Sequence, residues 1–424
     1  MSAGRPLAFL AVSCCAAVQT NYNFDESKVT PYTLPDALTL LNGQPVRDAA
    51  VWNEWRRPEI LHLFETYQFG RTPSGPYSVR AEVVAAEPGA LGGLAIRKQI
   101  VLHFSSDPTG PKANLLLYIP ASHRGPAPVF LGLNFNGNQS VAADPGIRLN
   151  EVWTRQTRHL PDAATRGDQA QQWQAEKILG RGYALATIYY GDIEPDFDGG
   201  IGYGVRPLFF RAGQTEPAPD DWGAIGAWAW GLSRAVDYLE QDADIDARKI
   251  AVMGHSRLGK TALWAGAQDT RFAIVISNES GEGGASLSRR NYGEDLRHLN
   301  TAFPHWFCAN YHRYIGHEPL LPMDSHMLLA LIAPRPLYVA SAEEDRGSDP
   351  LGEFLAAVNA GPVYALLGKR GIGTDQMPGL HQPVGETVVY HVRAGKHDGT
   401  AYDWDRYLEF ADRQFGRRPT DVVR

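Results

Sequence analysis

The stretch Lys249-Ile-Ala-Val-Met-Gly254-His-Ser256-Arg-Leu-Gly259-Lys260 decides the architecture. A short apolar run ends in Gly-His-Ser, and good helix formers follow at once, Thr261-Ala-Leu-Trp264 among them. A buried strand that turns sharply into a helix holds a serine on a strained elbow, with its hydroxyl above the edge of the sheet. Small residues flank such a serine because side chains there meet the backbones of the strand and helix. The spacing departs from Gly-x-Ser-x-Gly, since Leu258 holds the second glycine position and Gly259 comes one residue later. The lead-in from Asp244 to Ile250, Asp-x-Asp-x-x-x-Ile, makes a chance match less credible, and Ser256 is the candidate nucleophile.

Outward from this point the chain alternates. Apolar, β-rich runs fall at 94–104, 114–119, 129–134, 183–190, 249–253, 272–277, 337–340 and 388–392, and helix-like segments at 169–179, 222–240, 260–267, 350–359 and 402–415. Most of the later strands are continuously apolar, as parallel strands covered on both faces are. The expected fold is therefore α/β, a mostly parallel doubly wound sheet with helices on both faces, of the α/β-hydrolase kind. Residues 21–424 are read as one catalytic domain with loop insertions near 138–168 and 192–221, both after strands, where open α/β sheets build their sites. The acids Glu194, Asp196 and Asp198 match no EF-hand spacing and are expected in a solvated turn.

With 424 residues, 44% of them hydrophobic, the chain can bury a large core. A net charge of −7 argues against a nucleic-acid partner. Residues 1–20 carry Arg5 and then an apolar run from Pro6 to Val18, too short to span a bilayer. This is read as an export signal in which Ala11-Val-Ser-Cys14 approximates a lipoprotein box, so a secreted or periplasmic monomer, free or lipid-anchored, is expected. Once Cys14 and Cys15 leave or are lipidated, Cys308 has no partner for an intrachain disulfide. No His-Glu-x-x-His or clustered Cys/His spacing suggests a metal, and no cofactor is called for.

A serine needs a base, itself oriented by a carboxylate. In this fold the chain order is serine, acid, histidine. Of 13 histidines, His397 in Arg393-Ala-Gly-Lys-His397-Asp-Gly follows the last strand and precedes the last helix; His391 and His381 read as structural or solvated. Two acids compete: Glu279, after the run 272–277, and Asp345, after the run 337–340, the second being the usual position.

Gly-x-Ser-Arg-x-Gly-Lys at 254–260 and Glu-Ser-Gly-x-Gly-Gly at 279–284 resemble the glucuronoyl esterases, carbohydrate esterases that cut the ester between glucuronic acid on xylan and lignin alcohols. Phe303-Pro-His-Trp-Phe307, Pro322-Met-Asp-Ser-His-Met-Leu-Leu-Ala-Leu-Ile-Ala-Pro-Arg-Pro336 and Asp349-Pro-Leu-Gly-Glu-Phe354 are similar to the bacterial branch. The resemblance covers about a quarter of the chain. It implies Ser256 as nucleophile, His397 as base, Glu279 and Asp345 at the two acid positions, Arg257 as oxyanion stabiliser, and Lys260 and Glu294 on the sugar hydroxyls. One departure stands out: the branch tends to carry a tryptophan two residues after the second acid, and this chain has Gly347. Trp306 or an aromatic of the 192–221 loop is the expected substitute. The alternatives are another sugar or cinnamoyl ester hydrolase, which has no need of Arg257, Lys260 and Glu294 together, and a catalytically dead polysaccharide binder, which has no need of an intact Ser256, His397 and acid set.

Overall fold

The computed structural model describes residues 22–75 and 79–417, so the segment read as an export signal lies outside the described residues. Among the described residues twelve strands form: β1 (Arg80–Gly89), β2 (Ala95–His103), β3 (Lys112–Pro120), β4 (Ala127–Asn134), β5 (Val152–Thr154), β6 (Thr157–His159), β7 (Ala184–Tyr189), β8 (Ile245–His255), β9 (Phe272–Asn278), β10 (Leu337–Ala342), β11 (Val384–Gly385) and β12 (Val388–Arg393). Ten of them build one sheet in the order β1-β2-β3-β7-β4-β8-β9-β10-β12-β11, and β5 and β6 pair as a separate hairpin. The six strands from β7 to β12 in that order run parallel, whereas β1, β2, β3 and β11 are antiparallel additions.

Every residue of β4, β7, β10 and β12 is buried, the outcome their unbroken apolar runs predict. The edge strand β1 was not read from the sequence, because none of its residues is fully buried and its composition carries no period. Nor was the helix Arg57–Tyr67, entered through a π-helical turn Trp52–Arg56, which buries Trp52, Ile60, Leu63 and Phe64. The helices expected at 222–240, 260–267, 350–359 and 402–415 form as Ala224–Leu239, Arg257–Gln268, Pro350–Leu366 and Ala401–Gln414. The one expected at 169–179 is broken: Gln174 takes a left-handed conformation (φ 46°) between Ala170–Trp173 and Ala175–Gly180.

The helix Arg257–Gln268 is anchored from behind by Trp264, fully buried and stacked on Phe69 with ring centroids 4.6 Å apart. Burying a large apolar side chain of this kind contributes about 1.5–3 kcal/mol, so the elbow in front of it rests on a rigid support. No helix among the described residues is long and apolar enough to cross a membrane. Cys308 is buried and free.

Candidate active site

The C-terminal ends of the parallel strands carry the candidate residues. β8 ends at His255, and Ser256 adopts φ 58°, ψ −132° before the helix begins at Arg257. Such a conformation is costly for a residue with a side chain and persists where its surroundings enforce it. They do so here: a Cβ on Gly254 would lie 1.9 Å from the Leu258 carbonyl oxygen, and one on Gly259 would lie 3.0 Å from Ser280 Cβ and 3.1 Å from the Gly254 oxygen. The shifted second glycine thus relieves the same crowding from one position later. The Ser256 N–H donates to Asn278 O at 2.9 Å, pinning the elbow to the end of β9. At the start of the following helix the Gly259 and Lys260 N–H groups donate to Ser256 O at 2.8 and 3.2 Å, closing its first turn on the elbow residue.

Glu279 directly follows β9 and Asp345 lies three residues beyond β10; both meet His397 after β12. His397 Nδ1 lies 2.7 Å from Asp345 Oδ2 and 3.2 Å from Glu279 Oε2. The competition between the two acids therefore ends with both on one nitrogen. Burial pulls the His397 pKa down, but hydrogen bonds and attraction from Asp345 and Glu279 outweigh it and hold it up to about 10. Burial pushes Glu279 up to about 7 against the pull of His397 and Arg393. In Asp345 the penalty of burial is overcome by the hydrogen bond to His397, and its pKa is lowered. With Nδ1–H held by carboxylates, Nε2 is the nitrogen left to accept a proton.

Glu279 has a second task. Its Oε1 accepts from Arg393 at 2.5 Å and its Oε2 from the Asp398 N–H at 3.0 Å. Arg393 in turn donates to Asp403 at 2.9 Å, and Asp403 closes the capping box that starts the last helix at Thr400. His391 lies in β12 between Tyr338 and Asp403, the structural role expected of it. The middle residue of the elbow, His255, was not singled out from the sequence; its ring centroid lies 4.4 Å from that of His397, and its Nδ1 lies 2.6 Å from Asn278 Oδ1. Burial and the facing imidazole push its pKa down to about 4, so it packs against His397 as a neutral ring. The donor atoms of His255, Glu279 and His397 fall within 4.8 Å of one another, the only metal-like grouping among the described residues, and hydrogen bonds already engage each side chain.

Arg257 points its guanidinium over three rings, 4.8 Å from the centroid of Trp306, 5.3 Å from Phe303 and 5.7 Å from Phe135. Its Nη1 pairs with Asp196, while its buried Nε–H has no acceptor among the described residues. The expectation of a solvated acidic turn at 194–198 is thus wrong for two of the three acids. Glu194 is completely buried against Arg206, with its backbone oxygen on Trp228 Nε1 at 2.8 Å, and Asp196 is turned inward onto the Phe303–Phe307 motif; only Asp198 is exposed. A run of acids reads as solvated when its cationic partners lie far away in sequence, and Arg257 is 61 residues distant.

Lys260 is buried, not a solvated helix residue. Its Nζ donates to Ser280 O at 2.5 Å and lies 5.7 Å from the Trp306 centroid. Burial lowers its pKa, opposed by the charge of Glu294. The Glu294 N–H donates to the Gly347 carbonyl at 2.9 Å, which brings Glu294 beside the loop of the second acid. Of the two expected substitutes for the tryptophan missing at Gly347, Trp306 offers no open aromatic face, whereas the 192–221 loop carries Tyr203, 63% exposed. Trp306 is 3% exposed, stacked on Phe303 at 3.9 Å and covered by Arg257. Phe197 and Tyr203 of the 192–221 loop pack with Trp153 of the β5–β6 hairpin, beside a groove of about 500 Å³ that also runs along Phe135.

A parallel sheet with a serine elbow and a histidine–carboxylate set at its C-terminal edge defines an α/β-hydrolase. The sequence profile described as glucuronyl esterase, fungi, matches residues 217–368. The chain is 49% identical over 397 residues to carbohydrate esterase MZ0003 of an unknown prokaryotic organism, covering 92% of this chain and 91% of that protein. It is 30% identical over 344 residues to 4-O-methyl-glucuronoyl methylesterase 1 of Phanerochaete chrysosporium, covering 79% of this chain and 62% of that one. The glucuronoyl esterase from Solibacter usitatus superposes with a TM-score of 0.90 at 59% identity, over 92% of this chain and all of the other. The chain is a carboxylic ester hydrolase and belongs to the glucuronoyl esterases, in their bacterial branch.

Proposed function

We propose that this enzyme hydrolyses esters whose acyl part is glucuronic or 4-O-methyl-glucuronic acid, the ester joining xylan side groups to lignin alcohols, by way of an acyl-enzyme on Ser256. The carrying observation is the double hold of Asp345 and Glu279 on His397 Nδ1, which fixes the tautomer a base for Ser256 requires.

His397 Nε2 takes the Ser256 proton as Oγ attacks the ester carbonyl. The oxyanion that develops meets the backbone N–H and the guanidinium of Arg257, whose unpaired Nε–H is a donor in waiting. Collapse of the adduct expels the alcohol, which leaves with the proton from His397. Water then attacks the acyl-enzyme, His397 again taking and returning the proton, and free uronic acid departs. Lys260 and Glu294 hold the sugar hydroxyls, and the buried ammonium of Lys260 beside Trp306 is placed for a polar group that arrives with substrate. The apolar run ahead of Gln19 fits a role outside the cytoplasm, where the polymer is met.

The test compares benzyl glucuronate with a nitrophenyl acetate. A site built to pair with hydroxyls discriminates by several kcal/mol against an acyl group that lacks them, so kcat/KM for the glucuronate is expected to exceed that for the acetate by about 10² or more. Equal values would reject the uronate reading. Turnover retained by a folded Ser256→Ala variant would reject the nucleophile.

A further inference from the structure

Asp196 sits where four donors from three other segments converge. Oδ1 accepts from His305 Nε2 at 2.8 Å and Trp306 Nε1 at 2.7 Å, and Oδ2 accepts from Tyr190 OH at 3.0 Å and from Arg257 Nη1. That fills the four acceptor positions a carboxylate offers, in a side chain 5% exposed. Burial opposes the charge, but His305 and Arg257 hold the Asp196 pKa down to about 2, so the group is an anion across the working range.

We propose that Asp196 is a positioning residue for the reaction: it locks the Arg257 guanidinium beside Ser256 and offsets its charge while no oxyanion is present. The inference rests on the reading of Arg257 as oxyanion donor. A free arginine samples many rotamers and meets a developing charge only after reorganising. Here the Asp196 carboxylate clamps one end of the fork, and Phe135, Phe303 and Trp306 confine its plane. Among its other donors, the buried Nε–H is left without an acceptor among the described residues, one residue from the nucleophile. Preorganised dipoles of this sort do their work because they need not move when the charge appears. The offset matters at the end of the cycle as well, because the product is itself a carboxylate. A bare guanidinium beside Ser256 would retain it, whereas an arginine already paired with Asp196 releases it more readily.

The experiment is a double-mutant cycle on the full enzyme with Asp196→Asn, Asp196→Ala, Arg257→Ala and the Asp196→Ala/Arg257→Ala pair, assayed on benzyl glucuronate with free glucuronate as inhibitor. Asp196→Ala is expected to lower kcat about 10–10²-fold with KM nearly unchanged, the scale of a misplaced oxyanion donor. The same change added to Arg257→Ala is expected to cost less than about threefold further, since residues acting as a unit are not additive. Asp196→Asn, near-isosteric and the variant to rely on should the alanine fail to fold, is expected to lower the inhibition constant of glucuronate severalfold, an effect that loosened packing does not produce. Equal losses from Asp196→Ala in both backgrounds, or an unchanged glucuronate inhibition constant in folded Asp196→Asn, would overturn the proposal. An Arg257→Ala variant with wild-type kcat would instead bring down the oxyanion reading on which it rests.

Discussion

Removing one of the two carboxylates on His397 should separate the orientation of the base from the stability of the fold. Glu279 and Arg393 form a buried pair, 0% and 3% exposed, and deleting one partner of such a pair costs about 3–5 kcal/mol. In Glu279→Ala the cation keeps Asp403 and the carbonyl oxygens of Ala394, Lys396 and Asp398, which holds the cost to the lower end, about 3 kcal/mol. Asp345 is partnered chiefly by His397, whose side chain is 40% exposed, so Asp345→Ala should cost about 1 kcal/mol. On activity the order reverses. Losing the sole orienting acid of a triad costs about 10⁴-fold, but here the other carboxylate remains, and each single change is expected to cost about 10–10²-fold in kcat. The shorter contact, Asp345 at 2.7 Å against 3.2 Å, makes Asp345→Ala the deeper loss. The double variant should approach 10⁴-fold. Melting temperatures and kcat on benzyl glucuronate for the three variants decide the matter. The reasoning fails if Asp345→Ala is as inactive as the double variant while folded Glu279→Ala keeps the wild-type rate, for Glu279 would then be only the counterion of Arg393.

Three further outcomes follow from the same site. In the proposed mechanism His397 acts as a base only when neutral, and the carboxylates raise its pKa, so kcat/KM should fall as the pH drops through that raised value, and Asp345→Asn should move this acid limb to lower pH; a limb that stays put or rises contradicts the assignment. A raised histidine pKa stabilises the folded state in full below its unfolded value near 6.5 and loses that effect as pH climbs through about 10, so the melting-temperature gap between wild type and His397→Gln should shrink across this window. Gly347→Trp should fold normally, because a Cβ there has Asp345 Oδ1 at 3.8 Å as its nearest neighbour and the backbone is outside the glycine-favouring region. The added ring should lower KM for glucuronate esters about two- to tenfold, and an unchanged KM would mean that the missing platform is not an aromatic one.

The strands of the parallel core and the elbow were legible because continuous burial leaves continuous apolar runs, and because Gly254 and Gly259 answer backbone crowding at fixed points of the chain. The antiparallel edge was not: β1 buries nothing fully and so carries no pattern. Within the candidate site, Ser256 and Glu279 directly follow strand ends and His397 comes four residues after β12, positions that made them candidates from sequence. What escaped were the partners set by tertiary approach: His255 against His397, Arg393 beneath Glu279, and Asp196 on Arg257. Asp196 was lost in a plausible surface turn because its four donors are scattered from Tyr190 to Trp306. The joint hold on His397 was likewise invisible, since no spacing reveals that loops after two different strands reach one nitrogen.

The chain of charges from Glu279 through Arg393 to Asp403 ends in the capping box of the last helix, Ala401–Gln414. Mechanically, that helix is part of the foundation of the candidate active site. Immobilising the enzyme by a linker that strains this helix, or trimming the chain into it to make a smaller catalyst, would tug on Glu279, the carboxylate held against His397. The resulting enzyme would keep Ser256 and its elbow intact and, on the proposed mechanism, still lose rate, so attachment points for engineering belong on the far edge of the sheet, along β1.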